Sequence, residues 1–439
     1  MRSRDGGARA ARGFGLPRFF CKMNRIRKLE SDMALAAETA QSSPSSAALP
    51  ASLPWVTRLV SMDTVSRHPN LGLIETVRDD LRARGIESTL TYGRDGKWAN
   101  LFATIPAYDG ETNGGIVLSG HTDVVPVDGQ NWDSDPFKPE IRDGLLYGRG
   151  TCDMKGFIGA ALTLLPEIQQ TKLARPLHLA LSFDEEIGCV GAPLMIEELM
   201  KRGVKPEGCI VGEPTSMRPI VAHKGLNAYQ CCVRGQAAHS SLTPRGLNAI
   251  EYAARLICYI RDMADEFRAN GPFDELYDVP FTTAQTSTIE GGNALNTVPA
   301  ECRFAFEFRN LPTLDPDKIF ARIEQYARET LVPKMQREHA AGAIEFTKIA
   351  AAPGLDAAEQ AAITQLVRAL TADQTRRKVA YGTEAGLFAR AGIPSVVCGP
   401  GDIQQAHKPN EYVALEQLAA CEGFLRKLVH GMSADALAQ

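Results

Sequence analysis

The sequence predicts an α/β protein: a mainly parallel sheet covered by helices, with a smaller α+β domain inserted into it. Three observations lead there. Short apolar runs at 116–118, 177–183, 208–211 and 395–398 have the length and content of buried strands. Segments with helical spacing separate them, as crossover connections between parallel strands require. The stretch between Glu213 and His407 is far longer than one crossover needs, and its middle has a different rhythm.

In chain order, residues 54–62 carry Trp55, Leu59 and Val60 at helical spacing, and 73–84 form a second amphipathic pattern. Strand-like segments follow at 88–92 and 100–105, before the apolar run at 116–118. Residues 136–147 read as a loop and hairpin. Residues 148–156 read as a glycine-punctuated turn that opens a helix carrying Phe157, Ile158, Ala161, Leu162, Leu164 and Leu165. The middle of the chain runs strand 228–233, helix 247–263, strands 283–289 and 302–308, helix 316–331 and strand 344–349. That βαββαβ order is the ferredoxin-like pattern. It places an inserted domain at 226–350 within a discontinuous first domain, 51–225 and 351–439. The chain returns through a helix at 357–370, a strand at 378–381, the strand at 395–398 and a last helix at 415–429.

A chain of 439 residues suits two domains. No apolar run has the length that crosses a bilayer, so no membrane partner is expected. The formal charge of −4 is uneven: the first 29 residues hold nine of the 48 basic residues and only Asp5 among the acids. The acidic remainder argues against nucleic acid as a partner. Ten cysteines lack any CxxC spacing, and the adjacent Cys231 and Cys232 would face opposite sides of a strand. They read as reduced thiols of a cytoplasmic protein. Residues 1–50, rich in arginine and then in Ser, Ala and Pro, read as a disordered extension. An over-long start, with Met23 or Met33 the true first residue, is preferred over an organellar presequence.

The chemistry gathers at the strand ends. In Ser119-Gly120-His121-Thr122-Asp123, a histidine and a carboxylate two residues apart in extended backbone face the same side. One ring nitrogen of His121 is then free for a metal. The other can donate to a carboxylate such as Asp123, which fixes the tautomer. Alone, this stretch reads as a strand end with a capping aspartate, and Asp153 as a helix N-cap. Asp184, Glu185 and Glu186 follow an apolar strand directly, where three acids need a cation or open solvent. Glu213 and His407 also stand at or just beyond strand ends. Ligands bind outside the carboxyl ends of such strands. Six metal-capable residues would therefore converge, and a pair of divalent cations would make that cluster favourable.

The residues also resemble a family. SGHTDVVP (119–126), GRGTCDMKG (148–156), DEEIGCVGA (184–192), GEPT (212–215) and AHKP (406–409) are similar to the motifs of the metallopeptidase M20 family. The nearest branch is that of the acetylornithine deacetylases, with succinyl-diaminopimelate desuccinylase a cousin. VAHKGLNA (221–228), QAAHSS (236–241), YGTEAG (381–386) and GPGDIQQAHKPNEY (399–412) extend the likeness. The resemblance implies a zinc-exopeptidase-like fold and hydrolysis of a small N-acyl amino acid, N2-acetylornithine, by two zinc ions, with cobalt able to substitute. It implies that Asp153 bridges the metals, that His121 and Glu213 complete one site, and that Glu186 and His407 complete the other. Glu185 would be the general base. His239 would reach the partner's site in a homodimer formed through the inserted domain and help stabilise the oxyanion. Arg309 would fork onto the substrate carboxylate, and Asn296, Gly382 and Thr383 correspond to further substrate contacts. Cys152 stands where a small residue such as Ala is usual. No GxSxG elbow favours a serine hydrolase, and no HExxH favours a thermolysin-like peptidase.

Overall fold

The computed structural model describes residues 48–438; the expected extension therefore falls outside the described residues except at its last three positions. Helices α1 (Leu53–Val60) and α2 (Leu71–Ala83) precede strands β1 (Ser88–Tyr92) and β2 (Ala99–Ile105). Strand β3 (Ile116–His121) leads through a small hairpin to α3 (Lys155–Thr163) and β4 (Leu177–Ser182). Helix α4 (Ala192–Lys201) then leads to β5 (Gly208–Pro214). Next come β6 (Gly225–Arg234), α5 (Ala249–Asn270), β7 (Thr283–Gly291), β8 (Glu301–Asn310), α6 (Pro316–Gln325) and β9 (Ala343–Ala352). The chain ends with α7 (Ala362–Thr371), α8 (Ala385–Arg390), β10 (Ser395–Gly399) and α9 (Leu415–Gly431), followed by one short turn of helix.

The main sheet has the order β1-β2-β4-β3-β5-β10. Strands β4, β3, β5 and β10 are mutually parallel. β2 runs antiparallel to β4, and β1 to β2, because the short 93–98 connection can join only antiparallel neighbours. β3, β4, β5 and β10 are buried along their whole length, as a sheet covered on both faces demands. Their side chains alternate between two cores. Leu118, Leu179, Leu181 and Ile210 pack with Phe157, Ile158 and Leu162 of α3. Val117, Ala180 and Val211 face the other way, toward Met195 and Leu199 of α4 and Phe388 of α8.

The second sheet has the order β7-β8-β6-β9 and is antiparallel throughout. Counted from β6, that is the 4-1-3-2 arrangement of a ferredoxin-like unit. Its inward face buries Tyr229, Cys231, Phe304, Phe306 and Phe308 against Leu256, Ile260 and Ile323 of the covering helices. Cys231 is buried and Cys232 is not, the opposite-face placement that alternation predicts.

Three details differ from the sequence reading. Helices α4 and α8 do not appear in it, because each is only six to ten residues long, too short for helical spacing to stand out. The helix expected from 357 begins at Ala362, since Leu355–Asp356 pairs with Ala222–His223 instead. The strand expected over 378–381 is reduced to Lys378–Val379.

Two glycines tie this packing to the strand ends. Gly150 turns the chain ahead of Asp153 with φ +85°, a left-handed conformation that favours glycine. Gly212 precedes Glu213, and a β-carbon there would fall 2.0 Å from Cγ of Phe157. Gly212→Ala is expected to lower stability by about 1–3 kcal/mol through overpacking. Urea denaturation checks this; an unchanged midpoint would mean that Phe157 moves aside freely.

Candidate metal centre

His121 is the last residue of β3, and Glu213 lies one residue from the end of β5. Glu185 and Glu186 follow β4, Asp153 sits in the turn before α3, and His407 lies in the loop beyond β10. Since β4, β3, β5 and β10 are successive neighbours, these loops emerge side by side at the carboxyl edge.

Asp153 is the shared member. Its Oδ1 lies 2.9 Å from His121 Nε2, and its Oδ2 lies 3.4 Å from His407 Nε2. Glu213 Oε1 completes one trio, 3.7 Å from His121 Nε2. Glu186 Oε2 completes the other, 3.0 Å from His407 Nε2. Within each trio the donor atoms all lie within 4.8 Å of one another. Ligands bound at about 2.0–2.1 Å to a tetrahedral cation stand about 3.3 Å apart. The donor set and its spacing therefore fit two divalent cations that share a carboxylate. His121, Asp153 and Glu213 are buried, whereas the His407 side chain is 54% exposed, so the cluster opens on that side.

Asp123 organises the surroundings. Its backbone carbonyl lies 2.9 Å from His121 Nδ1, nearer than its own Oδ1 at 3.6 Å. The carbonyl thus shares the task of holding the ring that the sequence reading gave to the carboxylate. The carboxylate accepts from Ser66 Oγ at 2.7 Å and from the backbone N–H groups of Glu185 and Glu186 at 3.1 and 3.2 Å. One buried anion therefore positions the backbone of both glutamates. Glu185 Oε1 in turn accepts from Cys189 Sγ at 3.2 Å. Neither Ser66 nor Cys189 stood out in the sequence. Cys189 could have been found from its i+4 spacing after Glu185; Ser66 carries no comparable signal. Glu384 was also missed. It is buried near Ser119 and Ser182, and burial pushes its carboxyl up to about 7.

The other predicted residues fall into two groups. Arg309, at the end of β8, pairs through Nη2 with Glu307 at 3.1 Å, and its Nη1 lies 3.9 Å from where a β-carbon of Gly382 would sit. The fold thus brings Arg309 and Gly382 together. Thr383 is different: it is fully buried, and its hydroxyl accepts from Ala385 N at 3.1 Å, at the start of α8. Accepting that bond caps the helix start and leaves the O–H itself as a donor. His239 and Asn296 share a pair of exposed loops, in which Ser240 N donates to the Asn296 carbonyl at 2.9 Å. His239 Nδ1 lies 2.8 Å from Ser241 Oγ. Among the described residues, no hydrogen bond or ion pair joins His239, Asn296 or Arg309 to the cluster.

Crowded acids hold protons when no cation is present. Burial pushes Glu185 up to about 8, with repulsion from Glu186 adding to it. Burial and then Asp153 raise Glu186 and Glu213 as well. Hydrogen bonds to Asp153 and Glu186 raise His407 to about 10. In the unfolded chain Glu185 releases its proton near 4.5 and His407 near 6.5. Between those values and the folded ones, the folded state binds more protons, so stability falls as pH rises. Chelator-treated protein is therefore expected to melt at a lower temperature at pH 9 than at pH 6. Two equivalents of zinc should raise the pH 9 value most, because cations replace those protons. Calorimetry at both pH values tests this, and a metal-free melting temperature that rises toward pH 9 would contradict it.

Comparisons with known proteins place the chain in a family. Residues 117–431 match the model of peptidase family M20/M25/M40. An acetylornithine deacetylase from Pasteurella multocida (strain Pm70) is 33% identical over 390 residues, covering 87% of this chain and 98% of that protein. One from Myxococcus xanthus is 33% identical over 383 residues, covering 87% of this chain and 97% of that protein. Among solved structures, a tripeptidase from Staphylococcus aureus subsp. aureus Mu50 superposes with a TM-score of 0.67 at 20% identity, covering 88% of this chain and 98% of that one. The chain belongs to peptidase family M20/M25/M40 and is a hydrolase of that family.

Proposed function

We propose that this chain is a two-zinc deacetylase that hydrolyses N2-acetyl-L-ornithine to L-ornithine and acetate, a step of arginine biosynthesis. The observation that carries the chemistry is Asp153 shared between two His/carboxylate trios, with Glu185 beside them. The names of the relatives that match along nearly their whole length support the substrate. Zinc held by His121, Asp153 and Glu213 and by Asp153, Glu186 and His407, with cobalt able to substitute, would polarise the amide carbonyl and acidify the attacking water.

Glu185 takes a proton from that water and returns it to the leaving amine. Its second oxygen is free for this, because Cys189 Sγ–H engages Oε1. Glu186 differs because its carboxylate is turned to His407, and as a ligand it stays anionic. Arg309, beside Gly382, suits a bidentate grip on the α-carboxylate of the substrate. Asn296 and the backbone at Thr383 are the further contacts in this reading.

A homodimer through residues 226–350 completes it. His239 lies apart from the cluster of its own chain, and Leu242, Ile289 and Leu295 stand exposed on the same unit. A second copy covering that surface would bring His239 to the partner's oxyanion. The described cysteines are free thiols, which supports a cytoplasmic setting.

Glu185→Gln should keep both cations yet lose about 100-fold or more in kcat, the range of a general base. Near-normal turnover would refute the base assignment. Arg309→Met should raise KM far more than it lowers kcat, since it removes binding rather than chemistry. Steady-state kinetics separates the two. N2-acetylornithine and N-succinyl-diaminopimelate, assayed side by side on zinc-loaded protein, test the acyl group. Faster turnover of the succinyl substrate would make the chain a desuccinylase instead.

A further inference from the structure

Glu411 is a fully buried carboxylate that touches no predicted ligand side chain, yet it has contacts on both sides of the site. Its Oε1 accepts three backbone N–H groups: Gly150 at 3.0 Å, Cys152 at 2.9 Å and Asp153 at 3.1 Å. These belong to the turn that carries Asp153, and together they form a concave anion nest. Its Oε2 pairs with Arg149 Nη1 at 2.7 Å, and both side chains are 1% exposed. Burying that pair is tolerated because the amides share the charge.

Arg149 and Gln130 extend the grip to the loop that carries His407. Arg149 Nη1 also donates to the Lys408 carbonyl at 3.3 Å, and its Nη2 to Gln130 Oε1 at 2.6 Å. Gln130 Nε2 donates to the carbonyl of His407 itself at 3.0 Å. This loop needs holding. His407 and Asn410 have φ of 64° and 57°, a left-handed conformation that side-chain-bearing residues adopt at a cost. His121 and Glu213, by contrast, are set by β3 and β5 and touch none of these groups.

We propose that Glu411, with Arg149 and Gln130, is a positioning clamp for the cation trio of Asp153, Glu186 and His407. It fixes the distance between the Asp153 turn and the His407 loop, so that trio depends on it more than the His121, Asp153 and Glu213 trio does. This rests on the two-cation reading above.

The test is calorimetric titration of chelator-stripped protein with zinc alone, with the visible spectrum of the cobalt-loaded form as a readout of ligand geometry. Wild type should bind two cations. Glu411→Gln keeps the shape but sets an amide against Arg149. It should weaken the first cation less than the second, since both trios share Asp153, and the second about 10-fold or more, with a changed cobalt spectrum. Gln130→Ala keeps the hydrogen bonds between Glu411 and the Asp153 turn but removes those of Gln130 to the His407 carbonyl, Arg149 and Trp132. It should weaken the second cation about threefold or more, the effect of at least one lost hydrogen bond to the His407 loop. The melting temperature of the stripped proteins reports the fold separately. Two cations bound by both variants as in wild type would overturn the clamp and leave the metal centre standing. Equal weakening of both cations together with a lowered stripped-form melting temperature would also overturn it, since Glu411 would then act on folding alone. Fewer than two cations on wild type would sink the metal centre and the clamp together.

Discussion

The rest of this structure answers to one constraint: three glutamates are gathered around a single aspartate, largely away from water. Two unit charges 4 Å apart repel by about 4 kcal/mol at the effective dielectric of a protein surface. Asp153 has Glu186, Glu213 and Glu185 close enough to raise the proton affinity of each. Two imidazoles offset part of that repulsion, which is why both are held toward their charged form. Positive charge is thus a requirement of the architecture rather than an addition to it.

The scaffold meets this constraint with stiff parts first. His121 and Glu213 stand on buried strands whose side chains interdigitate with α3 and α4. Gly212 shows how tight that packing is, since there is no room for one more carbon beside Phe157. The other members of the two candidate trios stand on turns, and turns need fastening. Asp123 fastens the Glu185–Glu186 turn by accepting both of its N–H groups. The result is two adjacent glutamates whose N–H groups share one acceptor and whose side chains part. One faces His407, the other Cys189.

How much of this could be read beforehand depended on range. The strands of the main sheet were legible because short apolar runs of that length have few other uses, and the βαββαβ rhythm foretold the second sheet. Of the residues in the two candidate trios, His121, Glu186, Glu213 and His407 were legible because each stands at or beyond a strand end, and Asp153 because a glycine-punctuated turn holds it before α3. Short helices such as α8 were not, since six residues are too few for a period to show. Thr383 sat within a suggestive motif, and only the fold shows that its hydroxyl also accepts at the start of α8. Ser66 gave no signal, because a hydrogen bond across dozens of residues leaves no trace in local spacing; Glu384 lay within the YGTEAG stretch, but its burial is a tertiary property that the stretch does not carry.

The amino-acid order by itself therefore determined which chemistry was available: the acids, the imidazoles and the strand ends that present them. It did so because strand length, alternation and turn chemistry are local properties. Only the tertiary structure decided which atoms meet. That Asp153 turns one oxygen to His121 and the other to His407 follows from β3, β5 and β10 lying side by side in the sheet, although Asp153 and His407 are 254 positions apart in the chain (407 minus 153). Pairing at that separation is set by packing of the whole core, and no stretch of sequence contains it.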